Sequence, residues 1–89
     1  MQVRRRLIVH GRVHGVGFRV FVAGIARSRR VAGSARNLPD GTVEVVLEGD
    51  AEVVTAVARA CEEGPRSASI SNVETFDEQP QGLRGFDIG

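Results

Sequence analysis

The sequence predicts an α+β domain in which two helices cover one face of an antiparallel sheet. Several short segments alternate apolar and polar residues, as half-buried strands do. Two other segments carry apolar residues at helical spacing. The order of these segments is β-α-β-β-α-β, followed by one further short strand. With 89 residues, we expect a single domain that spans residues 1–89 and has one core.

The first half of the chain supplies three strands and one helix. Residues 3–9 alternate and predict the first strand, and residues 18–30 follow helical spacing with arginines near the end, which suit the helix dipole. Residues 31–37 predict a second strand. The run Leu38-Pro39-Asp40-Gly41 has proline second and glycine fourth, which is typical of a β-turn. Residues 42–48 alternate cleanly, so we expect a hairpin here.

The second half supplies the other helix and two more strands. Asp50 is the predicted N-cap of a helix over residues 51–63. A strand is predicted over residues 67–76, where the apolar positions fall out of phase and indicate a β-bulge near Ser71 and Asn72. Residues 86–88 fit a short last strand. This order of elements is the ferredoxin-like arrangement, a fold that hosts enzymes, RNA-binding modules and regulatory domains.

Charge and composition exclude several classes of protein. The 12 basic and 11 acidic residues give a net charge of +1, which is too balanced for a dedicated nucleic-acid binder. The predicted central strands also lack the aromatic residues with which RNA-binding versions of the fold stack bases. Arg4 and Arg6 are instead expected to face Glu44 and Glu48 across the sheet.

Other features bear on the location and assembly of the protein. We find no apolar run long enough to span a bilayer and no secretion signal, so we expect a cytoplasmic protein without membrane contact. The single cysteine, Cys61, predicts no internal disulfide and no cysteine-based metal site, and we expect it in the core. His10 and His14 lie at a strand end and in a loop, which does not suit a zinc pair. Nothing in the sequence requires more than a monomer.

The most informative segment is G-R-V-H-G-V-G-F-R, at residues 11–19. Gly15 and Gly17 allow positive φ, so successive N–H groups can point into one concavity. The loop leads into the N-terminus of the first helix, which also favours an anion. Arg19 adds a planar fork that matches phosphate oxygens. The segment lacks dinucleotide and P-loop spacing. It predicts either an oxyanion cradle or a plain connector with a solvated Arg19.

Asn37 lies at the end of the second strand, beside the hairpin turn. A right-handed crossover makes the first and second strands parallel, so their carboxyl ends lie on the same rim of the sheet. The sequence therefore predicts Asn37 close to the glycine-rich loop. The alternative is an asparagine that enters the turn and bonds its own backbone.

Together the two segments resemble the two signatures of the acylphosphatases: G-R-V-H-G-V-G-F-R at residues 11–19, and G-S-A-R-N-L-P-D-G-T-V-E-V-V-L-E-G at residues 33–49. The resemblance extends over nearly the whole chain. It implies hydrolysis of a small acyl phosphate to a carboxylate and inorganic phosphate, with phosphate able to compete for the site. It also implies that Arg19 binds the phosphoryl group and that Asn37 positions the attacking water. The implied substrate-binding residues are His14, Gly15, Val16, Gly17, Phe18 and Arg19.

Elementary chemistry agrees with that implication. The leaving group is a carboxylate whose conjugate acid has a pKa of about 4, so it departs without a general acid. No cluster of carboxylates indicates a metal, and we expect neither metal nor cofactor. Two departures from the family pattern lie beside the motifs: His14 where glutamine is usual, and Ser34 where a large aromatic is common. The competing hypothesis is a non-catalytic module that binds a phosphorylated or carbamoyl-phosphate-type ligand.

Overall fold

Five strands and two helices follow one another in the predicted order. The computed structural model describes residues 1–89. Its elements are β1 (Gln2–Arg12), α1 (Phe18–Ser28), β2 (Ala32–Asn37), β3 (Val43–Asp50), α2 (Ala51–Glu63), β4 (Ser69–Glu78) and β5 (Phe86–Ile88). The main differences from the sequence prediction are in the first strand, which is longer than residues 3–9 at both ends, and in the fourth strand, which begins and ends two residues later than predicted.

The strands form one sheet in the order β4-β1-β3-β2-β5, which confirms the ferredoxin-like fold. The β4–β1, β1–β3 and β3–β2 pairs are antiparallel, as predicted. Strand β5 is parallel to β2, so the complete sheet is mixed. The reason is the path of residues 79–85. The last residue of β4 and the first residue of β2 lie at the same end of the sheet. The chain crosses this end, so β5 begins beside the start of β2 and runs in the same direction.

The predicted bulge lies in β4. The pairing of β1 with β4 shifts between His10, which faces Asn72, and Gly11, which faces Ile70, so Ser71 has no partner. Gly11 has φ 126°, and a Cβ there would overlap the carbonyl oxygen of Ser69. The bulge thus places β4 too close to β1 for any side chain at this position.

Both helices pack on one face of the sheet around a core of 17 buried residues. Strand β3 contributes Val43, Val45 and Leu47, each fully buried. Helix α2 buries Val54, Val57, Ala58 and Cys61, whereas Val53 and Ala60 are only partly buried. Asp50 is the N-cap of α2 as predicted, but its side chain makes no capping bond and instead contacts the Met1 amino group at 3.4 Å.

The other face of the sheet carries charged pairs between neighbouring strands. Arg4 lies opposite Glu48 and contacts it at 3.3 Å, as predicted. Arg6 does not pair with Glu44, so that part of the prediction is wrong. The strand register offsets the two residues, and the Arg6 guanidinium instead donates to Glu78 on β4 at 2.8 Å.

Glu48 also fixes the segment that crosses the end of the sheet. Its carboxylate accepts the backbone N–H groups of Gln81, Gly82 and Leu83, two of them at 3.0 Å. The side chain is only 5% exposed. Burial raises the pKa of this carboxyl, but the three N–H groups and Arg4 outweigh it and hold the pKa below its usual range. The charge of Glu48 therefore holds the chain on its path to β5.

Candidate active site

The glycine-rich loop between β1 and α1 has open space beside its glycines and is held in place by the residues between them. Gly15 and Gly17 have φ 69° and 76°, and a Cβ at either would meet nothing within 4 Å. Glycine is thus needed here for the left-handed backbone, not for space. The residues that alternate with them hold the loop: the Val16 carbonyl accepts the Ser67 hydroxyl at 2.7 Å, and Phe18 is buried in the core.

The N-terminus of α1 opens directly from this loop. Gly17 is its N-cap, no side chain caps it, and no acidic residue lies in its first turn. The first helical bond runs from the Phe21 N–H to the Gly17 carbonyl at 3.0 Å. The N–H groups of Phe18, Arg19 and Val20 therefore have no acceptor within the helix. Together with the helix dipole, these free donors favour an anion at this end of the helix.

Arg19 is held at this position by the residue that follows β5. Its guanidinium donates to the backbone oxygen of Gly89, and the Gly89 N–H donates to the Ala35 carbonyl on β2 at 3.0 Å. A guanidinium has five N–H donors, so this contact orients the group and leaves other donors for an oxyanion.

Asn37 is the last residue of β2 and lies opposite Val43. Val43 also pairs with Val9 of β1, so the three residues form one row across the sheet, near the end at which the glycine loop leaves β1. Side chains alternate along a strand, which places Asn37 on the helix-covered face with Ala35. Ser34 lies on the opposite face, so its small side chain does not act directly on Asn37.

The hairpin turn after Asn37 is tied to the glycine loop. The Gly41 N–H donates to the Leu38 carbonyl at 3.1 Å, which confirms the predicted turn. The Asp40 carboxylate accepts the Thr42 hydroxyl at 2.6 Å and the Thr42 N–H at 3.0 Å, which lowers the pKa of Asp40. The Thr42 carbonyl in turn lies 2.7 Å from His14 Nε2 and accepts the Leu38 N–H at 2.9 Å.

The His14 contact defines the role of that side chain more closely than the sequence did. A carbonyl can only accept, so Nε2 of His14 must carry a proton and donate to Thr42. The ring thus joins the two motifs to each other, while the His14 backbone remains in the loop. Sequence reasoning missed Asp40 and Thr42 as members of this network, although an Asp two residues before a Thr in a turn is a known pattern of side-chain bonding to the backbone.

The two histidines serve separate partners. His10 Nε2 lies 2.7 Å from the Glu74 carboxylate on the open face of the sheet, and His14 bonds the hairpin. No group of three or more His, Cys, Asp or Glu side chains is placed to hold a metal ion. Neither helix combines the length and the apolar character that a membrane span needs.

The fold and the site define a small ferredoxin-like α+β protein that has an uncapped helix N-terminus, an arginine beside it and an asparagine on the same rim of the sheet. Comparison with known proteins identifies the family to which this protein belongs. The sequence model described as Acylphosphatase matches residues 5–88. An acylphosphatase of Thermococcus kodakarensis is 48% identical over 87 residues, which cover 98% of this chain and 96% of that protein.

Solved structures agree. The crystal structure of acylphosphatase from Bacillus subtilis superposes with a TM-score of 0.94 at 33% identity and covers 100% of this chain and 99% of that one. Full-length HypF contains a similar unit, with a TM-score of 0.92 and 27% identity, which covers 100% of this chain but 12% of HypF. The chain therefore belongs to the acylphosphatase family, the enzymes that hydrolyse acyl phosphates, as the two motifs predicted.

Proposed function

We propose that this enzyme holds the phosphoryl group of a small acyl phosphate on the loop and helix N-terminus of residues 14–19 and attacks it with a water held by Asn37. The observation that carries the proposal is the N-terminus of α1, which has neither a capping side chain nor an acidic residue and has Arg19 in its first turn. The bond from His14 to Thr42 supports it, because this bond joins the phosphate-binding loop to the hairpin that follows Asn37.

Binding and transition-state stabilisation come from the same donors. Phosphoryl transfer needs positioning and charge stabilisation more than covalent help. The loop and helix N–H groups meet the phosphoryl oxygens, and the Arg19 fork adds charge-assisted bonds worth about 1.5–3 kcal/mol each. These donors are fixed before the substrate arrives, so they stabilise the developing charge without reorganising.

The hydrolytic step needs no group beyond these. The oxygen of the water bonds to phosphorus, the bond from phosphorus to the acyl oxygen breaks, and the carboxylate leaves with the electron pair. A phosphoryl oxygen of the substrate takes the proton of the water. The leaving carboxylate has a conjugate acid with a pKa of about 4, so no side chain must protonate it. The Asn37 amide orients the water, and the reaction proceeds without a metal or cofactor.

We also propose that the protein acts as a cytoplasmic monomer. Every group in the proposed site comes from one chain, which makes a partner subunit unnecessary. The one cysteine, Cys61, is a buried free thiol, which fits a reducing compartment. Sedimentation of the purified protein tests the monomer, and a dimer that loses activity on dilution would contradict it.

Steady-state hydrolysis of benzoyl phosphate in the presence of EDTA tests the catalytic proposal. Turnover should persist, and inorganic phosphate should compete. Arg19→Lys should lose about 10²-fold or more in kcat/KM, because a point charge cannot replace the fork. The matched control is Arg59→Lys, on the exposed face of α2, which should leave kinetics unchanged.

A second variant separates positioning of the water from binding of phosphate. Asn37→Ala should lower kcat and leave the inhibition constant of phosphate nearly unchanged. Asn72→Ala, at the β4 bulge, is the matched control. A parallel loss of turnover and phosphate affinity in Asn37→Ala would contradict the assigned role. Phosphate binding by a folded wild-type protein without any turnover would favour the ligand-binding alternative.

A further inference from the structure

The end of the molecule away from the proposed active site carries a basic cavity. It has a volume of about 410 Å³ and lies between the C-terminal end of α1 and the segment that enters β5. Its lining includes Arg27, Arg30 and Arg84 and no acidic residue. Helix α1 rises about 1.5 Å per residue, so this cavity and the residue 14–19 loop lie at its two ends, about 15 Å apart.

The backbone at Arg30 is unusual. Arg30 is the one non-glycine residue with positive φ, at 57°. The Val31 N–H donates to the Ala26 carbonyl at 2.8 Å and the Arg30 N–H to the Arg27 carbonyl at 3.2 Å, which together form a Schellman motif. Glycine is the usual residue at the left-handed position of this motif, and a side chain there is strained. Strained residues cluster at ligand-binding sites, and the Arg30 side chain lines this cavity.

The three guanidinium groups carry charge that the protein does not neutralise. None of them forms an ion pair, and their one hydrogen bond is from Arg27 to the Phe86 carbonyl at 2.7 Å. An adjoining cavity of about 340 Å³ contains Glu48 and Asp50. Those carboxylates already have partners, since Glu48 binds Arg4 and three N–H groups, and Asp50 binds the Met1 amino group.

We propose that this cavity, defined by Arg27, Arg30 and Arg84, binds a small organic molecule that carries two or more phosphate groups. Several guanidinium groups around one cavity suit several phosphates, because each fork matches phosphate oxygens in two places. The volume lies in the range of small-molecule sites and exceeds what one phosphate needs. Val31, Leu83 and Phe86 complete the wall and give the organic part of the ligand an apolar surface.

Amide chemical shifts can separate this cavity from the active site. We would titrate ¹⁵N-labelled protein with inorganic tripolyphosphate and, separately, with ADP, at constant ionic strength because exposed charges are screened by salt. Both probes should shift the amide resonances of Val31, Ala32 and Gly85. The dissociation constant fitted to these shifts should differ from the constant fitted to any shifts in residues 15–19. ADP should bind more tightly per phosphate, since it also covers the apolar wall.

Two variants make the test specific. Arg84→Ala and Arg30→Gly should each weaken binding at this cavity about three- to tenfold, as the loss of one partly exposed charged donor predicts. Arg59→Ala, on α2, is the matched control and should change nothing. Arg30→Gly should also raise the melting temperature by several degrees, because glycine relieves the left-handed strain, so weaker binding could not result from unfolding.

Two results would contradict binding at this cavity. Shifts confined to residues 15–19, or cavity shifts that persist unchanged in both variants, would show that these arginines do not bind the phosphate groups. Hydrolysis of benzoyl phosphate should be normal in both variants. Failure at the cavity would therefore leave the proposed catalytic function intact, and failure of that function would leave the cavity result unaffected.

Discussion

Replacement of His14 should separate the geometry of the active site from the stability of the fold. The His14–Thr42 contact, at 2.7 Å, is the one side-chain hydrogen bond that joins residues 11–19 to residues 33–49. A hydrogen bond of this kind contributes about 1 kcal/mol net. The Thr42 carbonyl keeps the Leu38 N–H when His14 is lost, so no buried acceptor is orphaned. We expect His14→Ala to cost about 0.5–1 kcal/mol of unfolding free energy.

The expected loss of activity is larger than the loss of stability. Displacement of a catalytic group by about 1 Å can cost on the order of 10²-fold in rate. Without the bond, the glycine-rich loop and the hairpin after Asn37 lose the one side-chain hydrogen bond that joins them directly. We therefore expect His14→Ala to lower kcat/KM for benzoyl phosphate about 10- to 100-fold. The decrease should lie mainly in kcat, because the loop still binds phosphate while the water is misaligned.

Two isosteric probes decide whether the bond itself matters. The amide nitrogen of glutamine lies the same number of bonds from Cα as Nε2 of histidine, whereas that of asparagine lies one bond nearer. His14→Gln should restore most of the activity, and His14→Asn should behave like His14→Ala. Steady-state kinetics and urea unfolding of the three variants measure both quantities. Equal activity of the Gln and Asn variants, or wild-type kinetics of the Ala variant, would refute the positioning role.

Four other residues give simple tests. Gly24 lies inside α1 with open space around its Cα, so Gly24→Ala should add about 0.5–1 kcal/mol of stability in urea unfolding. Gly17→Ala places a side chain at φ 76° and should cost about 1–2 kcal/mol and weaken phosphate inhibition; a neutral effect would show that the loop relaxes without penalty. The pKa of Glu48 is lower in the folded state, so its stabilisation is present above its unfolded pKa of about 4.3 and is lost as pH falls. Urea unfolding of Glu48→Gln should thus depend less on pH below about pH 5, and an unchanged pH slope would contradict the role of the carboxylate. Burial raises the pKa of Cys61 to about 12, so alkylation of this thiol at pH 8 should proceed only as fast as the protein opens.

Local patterns predicted most of the elements. Alternation gave the strands, and the misplaced apolar positions of β4 predicted the bulge at Ser71, because a bulge is the physical means by which a strand changes phase. The Pro39–Gly41 turn was equally predictable, since its residue types set its backbone angles. The rim that Asn37 shares with the glycine loop followed from crossover handedness alone.

Contacts between distant segments were less predictable. The partner of Arg6 depends on an offset in register, which alternation does not specify. Capture of residues 81–83 by Glu48 depends on the path of a loop that has no regular pattern. The His14 contact depends on the distance between a loop and a hairpin, and one sequence shows which residue types are present but not how far apart they lie.

The direction of β5 matters for the active site. Arg19 and Arg27, at the two ends of α1, donate to the backbone oxygens of Gly89 and Phe86. The two arginines are about 12 Å apart along a helix that rises 1.5 Å per residue. The two acceptors are about 10 Å apart along a strand that rises 3.3 Å per residue. The two spacings are similar, so both arginines can reach their acceptors at once. Because Arg19 contacts Gly89 and Arg27 contacts Phe86, the helix and the strand must run in opposite directions. Strand β5 does so because it is parallel to β2. An antiparallel β5 would bring Gly89 to the Arg27 end of the helix and leave Arg19 without this backbone acceptor.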